Sequence, residues 1–245
     1  MAYTFPHYLT SQGDPAPELL YVWDDTRADL DFEYDADELI DKMWDATTRA
    51  KIALCIGVYE WVIWRFRRLS DDPVPLQIAE AAWCGNIRAA YVEYIEFSRR
   101  EYLGPVRGPL YGAMMSLGPV LNDTAENKDE WADGLAFLAP LAMHVLPDTE
   151  PFEEWLDSVT DRLLALYPEP EDDPYEDMFG EHEEERRGPL IAREALDPAF
   201  DYRPEHAPAL LDRFLRYVDY AENPFLCSPE ELIEAGVEQP YRVLI

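Results

Sequence analysis

Apolar residues recur along most of this chain at the three- to four-residue spacing of an amphipathic helix. The pattern predicts helices over about 35–69, 76–102, 128–146, 149–167 and 208–222, the third kinked or split at its internal proline. The predicted fold class is therefore mostly α, an irregular helical bundle of about six to eight helices.

The stretch from Ile52 to Trp64 differs from the others because it is apolar almost all round. A helix that is apolar on every side is normally buried, so we expect this stretch to be the centre of the fold. Glu60 is its only acidic residue, and a buried carboxylate must be paired or neutralised. Two interpretations stay open: Glu60 lies at the bundle rim or pairs with an arginine, or it is a functional buried carboxylate.

Local signals at helix ends refine this outline. Residues 104–122 are punctuated by glycine and proline, which predicts a turn-rich connector with a short helix near 111–117. In the run from Ser228 to Glu231, serine, proline and glutamate occupy the N-cap, N1 and N3 positions of a helix. Gly236 then ends this short predicted helix.

Two segments near the N-terminus have the pattern of strands. Residues 18–23 are mostly apolar, and residues 29–35 alternate acidic with apolar side chains, which is the period of a half-buried strand. Residues 24–27 supply a turn, so one small N-terminal β-hairpin is a variant of the predicted fold. In such a strand the acidic side chains share one face about 6.6 Å apart, comparable with successive phosphates of a nucleic-acid strand.

Chain length and linker composition bear on domain organisation. The 245 residues fit one large domain or two small ones. Because no Gly/Ser-rich linker divides the chain, we predict a single helical domain over 1–245. Half of residues 168–187 are Asp or Glu, which predicts an acidic loop or arm there.

Charge sets the expected partners. The chain has 51 Asp and Glu against 20 Lys and Arg, a net charge of −31, yet 48% of its residues are hydrophobic, enough for a core. Such a field repels nucleic acid and anionic membranes and speeds encounter with a basic protein. The N-terminus lacks the pattern of a secretory signal, and no apolar run reaches the roughly 20 residues of a membrane span. We therefore expect a cytoplasmic protein that binds a basic protein partner, and neither nucleic acid nor membrane.

No pattern of catalytic residues stands out. The chain has no nucleophile elbow, phosphate-binding loop or dinucleotide-binding motif, and its four histidines and three cysteines do not have metal-ligand spacing. The sequence thus predicts no catalytic residues, no metal site and no cofactor, and a protein that is not an enzyme.

The two densest acidic runs are the candidate partner-binding surfaces, because their carboxylates can pair with Arg and Lys of a basic partner. The alternative is a solvated surface that confers only solubility. The candidate partner-binding residues are Asp29, Asp31, Glu33, Glu169, Glu171, Asp172, Asp173, Glu176, Asp177, Glu181, Glu183, Glu184 and Glu185.

With its acidic runs Asp29–Asp35 and Glu169–Glu185, its many aromatic residues and its missing catalytic signature, the chain resembles bacterial immunity proteins in overall character. The resemblance implies a cytosolic inhibitor that neutralises a cognate toxin. A nuclease toxin presents a cationic surface for phosphates, which an acidic inhibitor can occlude.

Three other hypotheses stay open. The chain can be a nucleic-acid mimic that inhibits a DNA-binding enzyme. It can be a helical enzyme that uses carboxylates or a carboxylate-bound metal. It can also be a structural subunit, or a protein whose acidity is an adaptation to high salt.

Overall fold

The computed structural model describes residues 3–27, 31–93, 98–121, 130–169 and 187–243. These residues are mostly helical and contain no strand, which confirms the predicted class. The α-helices are α1 (His7–Thr10), α2 (Asp37–Met43), α3 (Thr48–Phe66), α4 (Val74–Ile87), α5 (Gly104–Leu121), α6 (Glu130–Val145), α7 (Glu150–Leu166), α8 (Ala207–Leu215) and α9 (Pro229–Glu234). Short 3-10 helices cover Ala89–Tyr91, Arg99–Glu101, Arg193–Leu196 and Pro204–His206.

Helix α3 is the centre of the fold. All of its residues from Arg49 to Phe66 are buried, and it packs against α4, α5, α6 and α7. This confirms that the stretch that is apolar on all sides is the buried centre. The buried apolar side chains form one cluster that extends from Tyr8 to Tyr241. The assignment of the whole chain to one domain stays a prediction.

The single helix predicted over 35–69 is wrong, because the chain breaks between α2 and α3. Thr47 has an extended backbone, and its N–H donates to the carbonyl of Tyr167 at 2.9 Å. Ala46 forms an isolated antiparallel bridge with Pro168. Threonine is a weak helix former, so these backbone contacts with the end of α7 override the helical pattern here.

The helix predicted over 76–102 is also too long, since α4 ends at Ile87. The next residue, Arg88, is extended, and Val92 bridges to Leu226. Backbone hydrogen bonds to residues 225–227 satisfy this stretch instead of a helix. In the same way α8 ends at Leu215, short of the predicted 222.

The predicted turn-rich connector is instead one continuous helix, α5, with Pro109 and Pro119 inside it. A proline has no N–H, so Pro109 leaves the carbonyl of Pro105, four residues earlier, without its helical donor. The hydroxyl of Tyr21 donates to that carbonyl. A side chain distant in sequence thus replaces the missing backbone bond. Helix α6 likewise continues through Pro140.

Two glycines of α5 allow aromatic side chains to pack closely against the helix backbone. A Cβ at Gly108 would lie 2.1 Å from Nε1 of Trp23, and one at Gly112 would lie 2.9 Å from Phe137. Only glycine lets these aromatic rings rest directly on the helix backbone. The glycines that suggested turns in residues 104–122 are therefore positions where aromatic side chains approach the helix closely.

The predicted N-terminal hairpin is wrong for the described residues of 18–27 and 31–36, which are irregular. Their aromatic side chains pack on α6: the rings of Tyr21 and Phe32 lie 5.4 and 5.2 Å from that of His144. The carbonyl of Val22 lies 2.8 Å from Nε2 of His144. Asp is a poor strand former, and contacts with α6 take the place of strand pairing.

Two predicted helices are confirmed. Helix α7 spans Glu150–Leu166, and its apolar stripe faces the core. Ser228 caps α9 with a capping box that it shares with Glu231, and Gly236 follows with a φ of 89°. No helix in the described part of the chain is both long and apolar enough to cross a membrane.

The buried position of α3 makes a testable prediction. Ile56 is fully buried, so Ile56→Ala should lower the free energy of unfolding by about 2–5 kcal/mol through lost burial and a residual cavity. Leu20, which is 74% exposed, is the control. Leu20→Ala should change stability by less than about 0.5 kcal/mol. Urea unfolding measures both, and an equally small effect at Ile56 would contradict the assignment of α3 as the core.

Candidate functional site

Few of the candidate partner-binding residues lie within the described part of the chain. Asp31, Glu33 and Glu169 do, and Asp29 and the candidates from Glu171 to Glu185 lie outside it. Asp31 and Glu33 are exposed, whereas Phe32 between them is half-buried. The alternation predicted from the sequence thus persists in side-chain exposure although no strand forms.

Helix α7 places a second row of carboxylates beside this segment. Glu153, Asp157 and Asp161 are exposed and recur every fourth residue, about 6 Å apart along the helix. Burial raises the pKa of Tyr34, and the charges of Asp157 and Glu153 raise it further, so both lie near this ring.

We call this surface the acidic face. The name covers the exposed carboxylates of two segments that meet at Tyr34: Asp31, Glu33, Asp35 and Glu38 of residues 31–38, and Glu153, Asp157 and Asp161 of α7. Of these, Asp35, Glu38, Glu153 and Asp157 act on Tyr34 directly. Lys42 is a cation on the same surface, and its Nζ lies 2.6 Å from Asp161. The sequence predicted the acidic side of residues 31–35. That the exposed side of α7 adjoins it depends on tertiary packing, for which the sequence pattern gives no signal.

Glu169 has a structural partner. Its carboxylate lies 3.5 Å from Nζ of Lys51, which is buried between the rings of Trp44 and Trp131 at 5.3 Å from each. The N–H of Glu169 donates to the carbonyl of Asp45. Glu169 therefore stabilises the junction of α2 and α3 through this ion pair and this backbone hydrogen bond. Trp44 is 43% exposed at this junction and adds an aromatic surface.

Some of the described arginines donate mainly to backbone carbonyls. Arg65 is buried and donates to the carbonyls of Val145, Ala16 and Glu18 at 2.6–2.9 Å. Arg162 donates to the carbonyl of Asp197 at 2.6 Å. These guanidinium groups keep their positive charge, and their N–H groups bond to neutral backbone carbonyls.

Glu60 lies at the centre of the fold and is fully buried. Both its oxygens accept hydrogen bonds, from the hydroxyls of Tyr3 and Tyr8, and Nε1 of Trp83 donates at 2.8 Å. Nε of Arg193 lies 3.0 Å from the same carboxylate. The predicted arginine partner is therefore found, but the rim position is wrong.

The partners of Glu60 could not be identified from the sequence. They come from the N-terminal segment, from α4 and from the 3-10 helix at 193–196, and no periodicity relates these segments. Burial raises the pKa of Tyr3 and Tyr8 well above the ordinary value, so both phenols stay protonated and donate to the carboxylate. The arrangement neutralises a buried charge with one cation and three neutral donors.

A cavity of about 250 Å³ lies next to this cluster, and we call it the α8 cavity. Its walls include Glu80, Trp83, Arg193, Glu194, Leu210 and Phe214. Glu194 pairs with Arg213 of α8 at 3.1 Å. Burial raises the pKa of Glu80 above its usual range.

Within the described ranges, no group of three or more His, Cys, Asp and Glu side chains is arranged to hold a metal ion. Comparisons of this chain with protein-family models, with curated proteins and with solved structures gave no match.

The Glu60 cluster predicts a large effect of removing one partner. Glu60→Leu leaves the guanidinium of Arg193 buried without its carboxylate, so we expect a loss of about 3–5 kcal/mol in unfolding free energy. The double variant Glu60→Leu/Arg193→Met should recover part of this loss in a double-mutant cycle. As a control, Asp161→Ala breaks the exposed pair with Lys42 and should cost less than about 1 kcal/mol. Equal effects of Glu60→Leu and Asp161→Ala would contradict the buried-pair assignment.

The buried phenols predict a loss of stability at alkaline pH. Burial raises the pKa of Tyr3, Tyr8 and Tyr59 well above 10 in the folded protein. Above pH 10 the unfolded chain releases these protons while the folded chain keeps them, so the free energy of unfolding falls as pH rises. Below pH 10 this contribution is fully present. Urea unfolding on both sides of pH 10 tests this, with Tyr8→Phe expected to give a shallower decline. Phenolate absorbance with all 15 tyrosines titrating near 10 in the folded state would rule it out.

Proposed function

We propose that this chain is an acidic binding protein that inhibits a basic protein partner. The specific form we favour is a cytoplasmic immunity protein that neutralises a nuclease-type bacterial toxin by occlusion. The observation that carries the proposal is the acidic face itself, where exposed carboxylates from residues 31–38 and from α7 meet near Tyr34.

The acidic face suits electrostatic recognition of such a partner. Its two rows come from different segments, residues 31–38 and α7, and both lie near Tyr34. At 0.1 M salt the screening length is about 10 Å, so neighbouring carboxylates about 6 Å apart act together on an approaching cation. A field of this kind mainly speeds association.

A partly exposed tryptophan in the neighbourhood of Asp45 and Glu169 also supports a protein partner. Trp44 belongs to the segment that joins α2 to α3 and is followed directly by the exposed Asp45. Tryptophan is enriched among residues that dominate interface energies, and arginine side chains stack on its face. A basic protein surface therefore finds both charge and apolar contact here.

The burial and hydrogen bonds of Glu60 favour inhibition by occlusion over a catalytic function. This is the most deeply buried carboxylate among the described residues, and both its oxygens already accept hydrogen bonds. A general base needs a free lone pair within reach of substrate. Glu60 is better explained as a structural anchor than as a catalytic residue.

A second candidate function is that of a nucleic-acid mimic which blocks a DNA-binding enzyme. The observation that favours it is the spacing of Glu153, Asp157 and Asp161, about 6 Å along one side of α7, which is comparable with phosphate spacing. The two functions share the same surface and differ in the partner. Identification of the bound protein after affinity purification from the native cell distinguishes a toxin from a DNA-binding housekeeping enzyme.

The proposal predicts that charge reversal on the acidic face slows association. Glu153→Lys/Asp157→Lys should reduce the association rate with the recovered partner by at least about tenfold at low salt, because steering is lost. Asp31→Lys/Glu33→Lys tests the other row in the same way. Stopped-flow or surface-based kinetics at about 0.02 and 0.3 M salt measure the effect, which should shrink as salt rises.

The matched control is Glu101→Lys/Glu234→Lys, which makes the same change of net charge at exposed residues outside the acidic face. It should slow association much less. Circular dichroism checks that every variant is folded. If both rows of the acidic face can be reversed with unchanged kinetics at low salt, acidity is a solubility trait and the proposed function fails.

A further inference from the structure

Aromatic side chains form most of the wall of another cavity, which we call the aromatic cavity. Its volume is about 150 Å³. The walls come from the N-terminal segment, from the residues around the 3-10 helix at 99–101, and from α5 and α6. They consist of Trp23, Asp25, Arg99, Tyr102, Tyr111 and Phe137, together with Gly108 and Gly112. None of these residues belongs to the acidic face or to the α8 cavity.

Four rings make this cavity attractive to a cation. The ring centroids of Tyr102 and Tyr111 lie 6.1 Å apart, and Trp23 and Phe137 complete the aromatic wall. Trp23, Tyr111 and Phe137 are only partly buried, so part of their surface remains accessible. Tyr102 already makes one cation–π contact, with the guanidinium of Arg107 at 4.6 Å. Because the face of an aromatic ring carries partial negative charge, walls of this kind favour a positively charged group.

The carboxylate of Asp25 adds a negative charge to the aromatic wall. Nε1 of Trp23 donates to its Oδ1 at 2.8 Å, and the N–H of Gly104 donates to its Oδ2 at 2.9 Å. These hydrogen bonds fix the carboxylate but leave its charge in place. An ammonium with N–H groups would lose hydrogen bonds to water that the rings do not replace. A quaternary ammonium has no N–H to donate, so it gains from the charge and the rings without needing a free acceptor.

The volume of the cavity and its one cationic side chain define the rest of the ligand. An apolar cavity of about 150 Å³ holds a molecule of the size of benzene, and a trimethylammonium group is slightly smaller. Arg99 lines the same cavity and is exposed. Its positive charge disfavours a ligand that is only cationic and favours one that also has a carboxylate, which pairs well with a guanidinium. The ligand that matches the cavity is therefore a small zwitterion.

We propose that the aromatic cavity binds a small zwitterion with a quaternary ammonium and a carboxylate, of the size of glycine betaine. Its trimethylammonium group lies among the four rings near Asp25, and its carboxylate accepts hydrogen bonds from Arg99 at the exposed side of the cavity. Cation–π attraction and burial of the methyl groups supply affinity, and Arg99 orients the ligand. This site is independent of the proposed inhibitor function, and neither depends on the other.

Isothermal titration calorimetry with the full-length chain tests the proposal. Glycine betaine should bind with a dissociation constant of about 0.1–5 mM, as expected for so small a ligand. 3,3-Dimethylbutanoate has the same shape and the same carboxylate, but a carbon atom replaces the charged nitrogen. It should bind at least about tenfold more weakly, because the attraction between the cation and the rings is lost.

Substitutions at Tyr111 locate the ammonium. Tyr111→Leu keeps an apolar side chain but removes a ring, so it should weaken glycine betaine at least about fivefold and leave 3,3-dimethylbutanoate within about twofold. Tyr111→Phe keeps the ring and should bind like the wild type. The net charge of −31 disfavours any anion at every site, whereas a preference that shrinks in Tyr111→Leu belongs to the aromatic cavity.

Substitutions at Arg99 locate the carboxylate. Arg99→Gln should weaken glycine betaine at least about threefold. It should not weaken choline, which has the quaternary ammonium but a hydroxyl in place of the carboxylate. Arg100→Gln makes the same change of net charge at an exposed neighbour that does not line the cavity, and it should leave both affinities unchanged.

The proposal is overturned by any of three results: no saturable binding of glycine betaine, equal affinity for glycine betaine and 3,3-dimethylbutanoate, or wild-type affinity for glycine betaine in a folded Tyr111→Leu variant. Equal effects of Arg99→Gln and Arg100→Gln would also overturn it. Circular dichroism and urea unfolding establish that each variant is folded. If Tyr111→Leu does not fold, the comparison of Arg99→Gln with Arg100→Gln decides the outcome by itself.

Discussion

The buried pair of Glu60 and Arg193 is the interaction on which the rest of the fold depends. Glu60 lies in the middle of α3, the helix that is buried on every side. A carboxylate at that depth is strongly destabilising unless a cation and hydrogen-bond donors surround it. The donors come from the N-terminal segment, α4 and the 3-10 helix at 193–196, so satisfying one charge joins parts of the chain that are distant in sequence. Tyr3, Trp83 and Arg193 of this cluster also form part of the wall of the α8 cavity.

The same physical logic governs the other cations. Burying a guanidinium is favourable only where its N–H groups find acceptors, and Arg65 and Arg162 find them in backbone carbonyls. Each guanidinium keeps its positive charge in this arrangement, because a hydrogen bond to a neutral carbonyl does not change it. The negative field of the chain comes from its excess of carboxylates, a net charge of −31. This is the physical basis of the proposed recognition of a basic partner.

A side chain also supplies a hydrogen bond that the backbone of α5 lacks because of a proline. Pro109 removes a donor from α5, and the hydroxyl of Tyr21 donates to the carbonyl of Pro105 that is left open. Because the same N-terminal segment presses Trp23 on Gly108, the apparent helix breakers of α5 are positions of close contact. The N-terminal segment therefore stabilises the bundle through its aromatic side chains, although residues 18–27 form no regular element.

The sequence by itself determined the helical class, the burial of α3, the extent of α7 and the capped start of α9, because periodicity and capping are properties of neighbouring residues. It also established that Glu60 needs a partner. Only the tertiary structure decided that the helix pattern breaks at Thr47 and ends at Ile87, that α5 is continuous, and that Arg193, Tyr3 and Tyr8 surround Glu60. It also decided that the exposed side of α7 adjoins the acidic residues near Tyr34. The reason is common to all of these: each depends on a hydrogen-bond partner or a charge supplied from far along the chain, and local patterns carry no information about it.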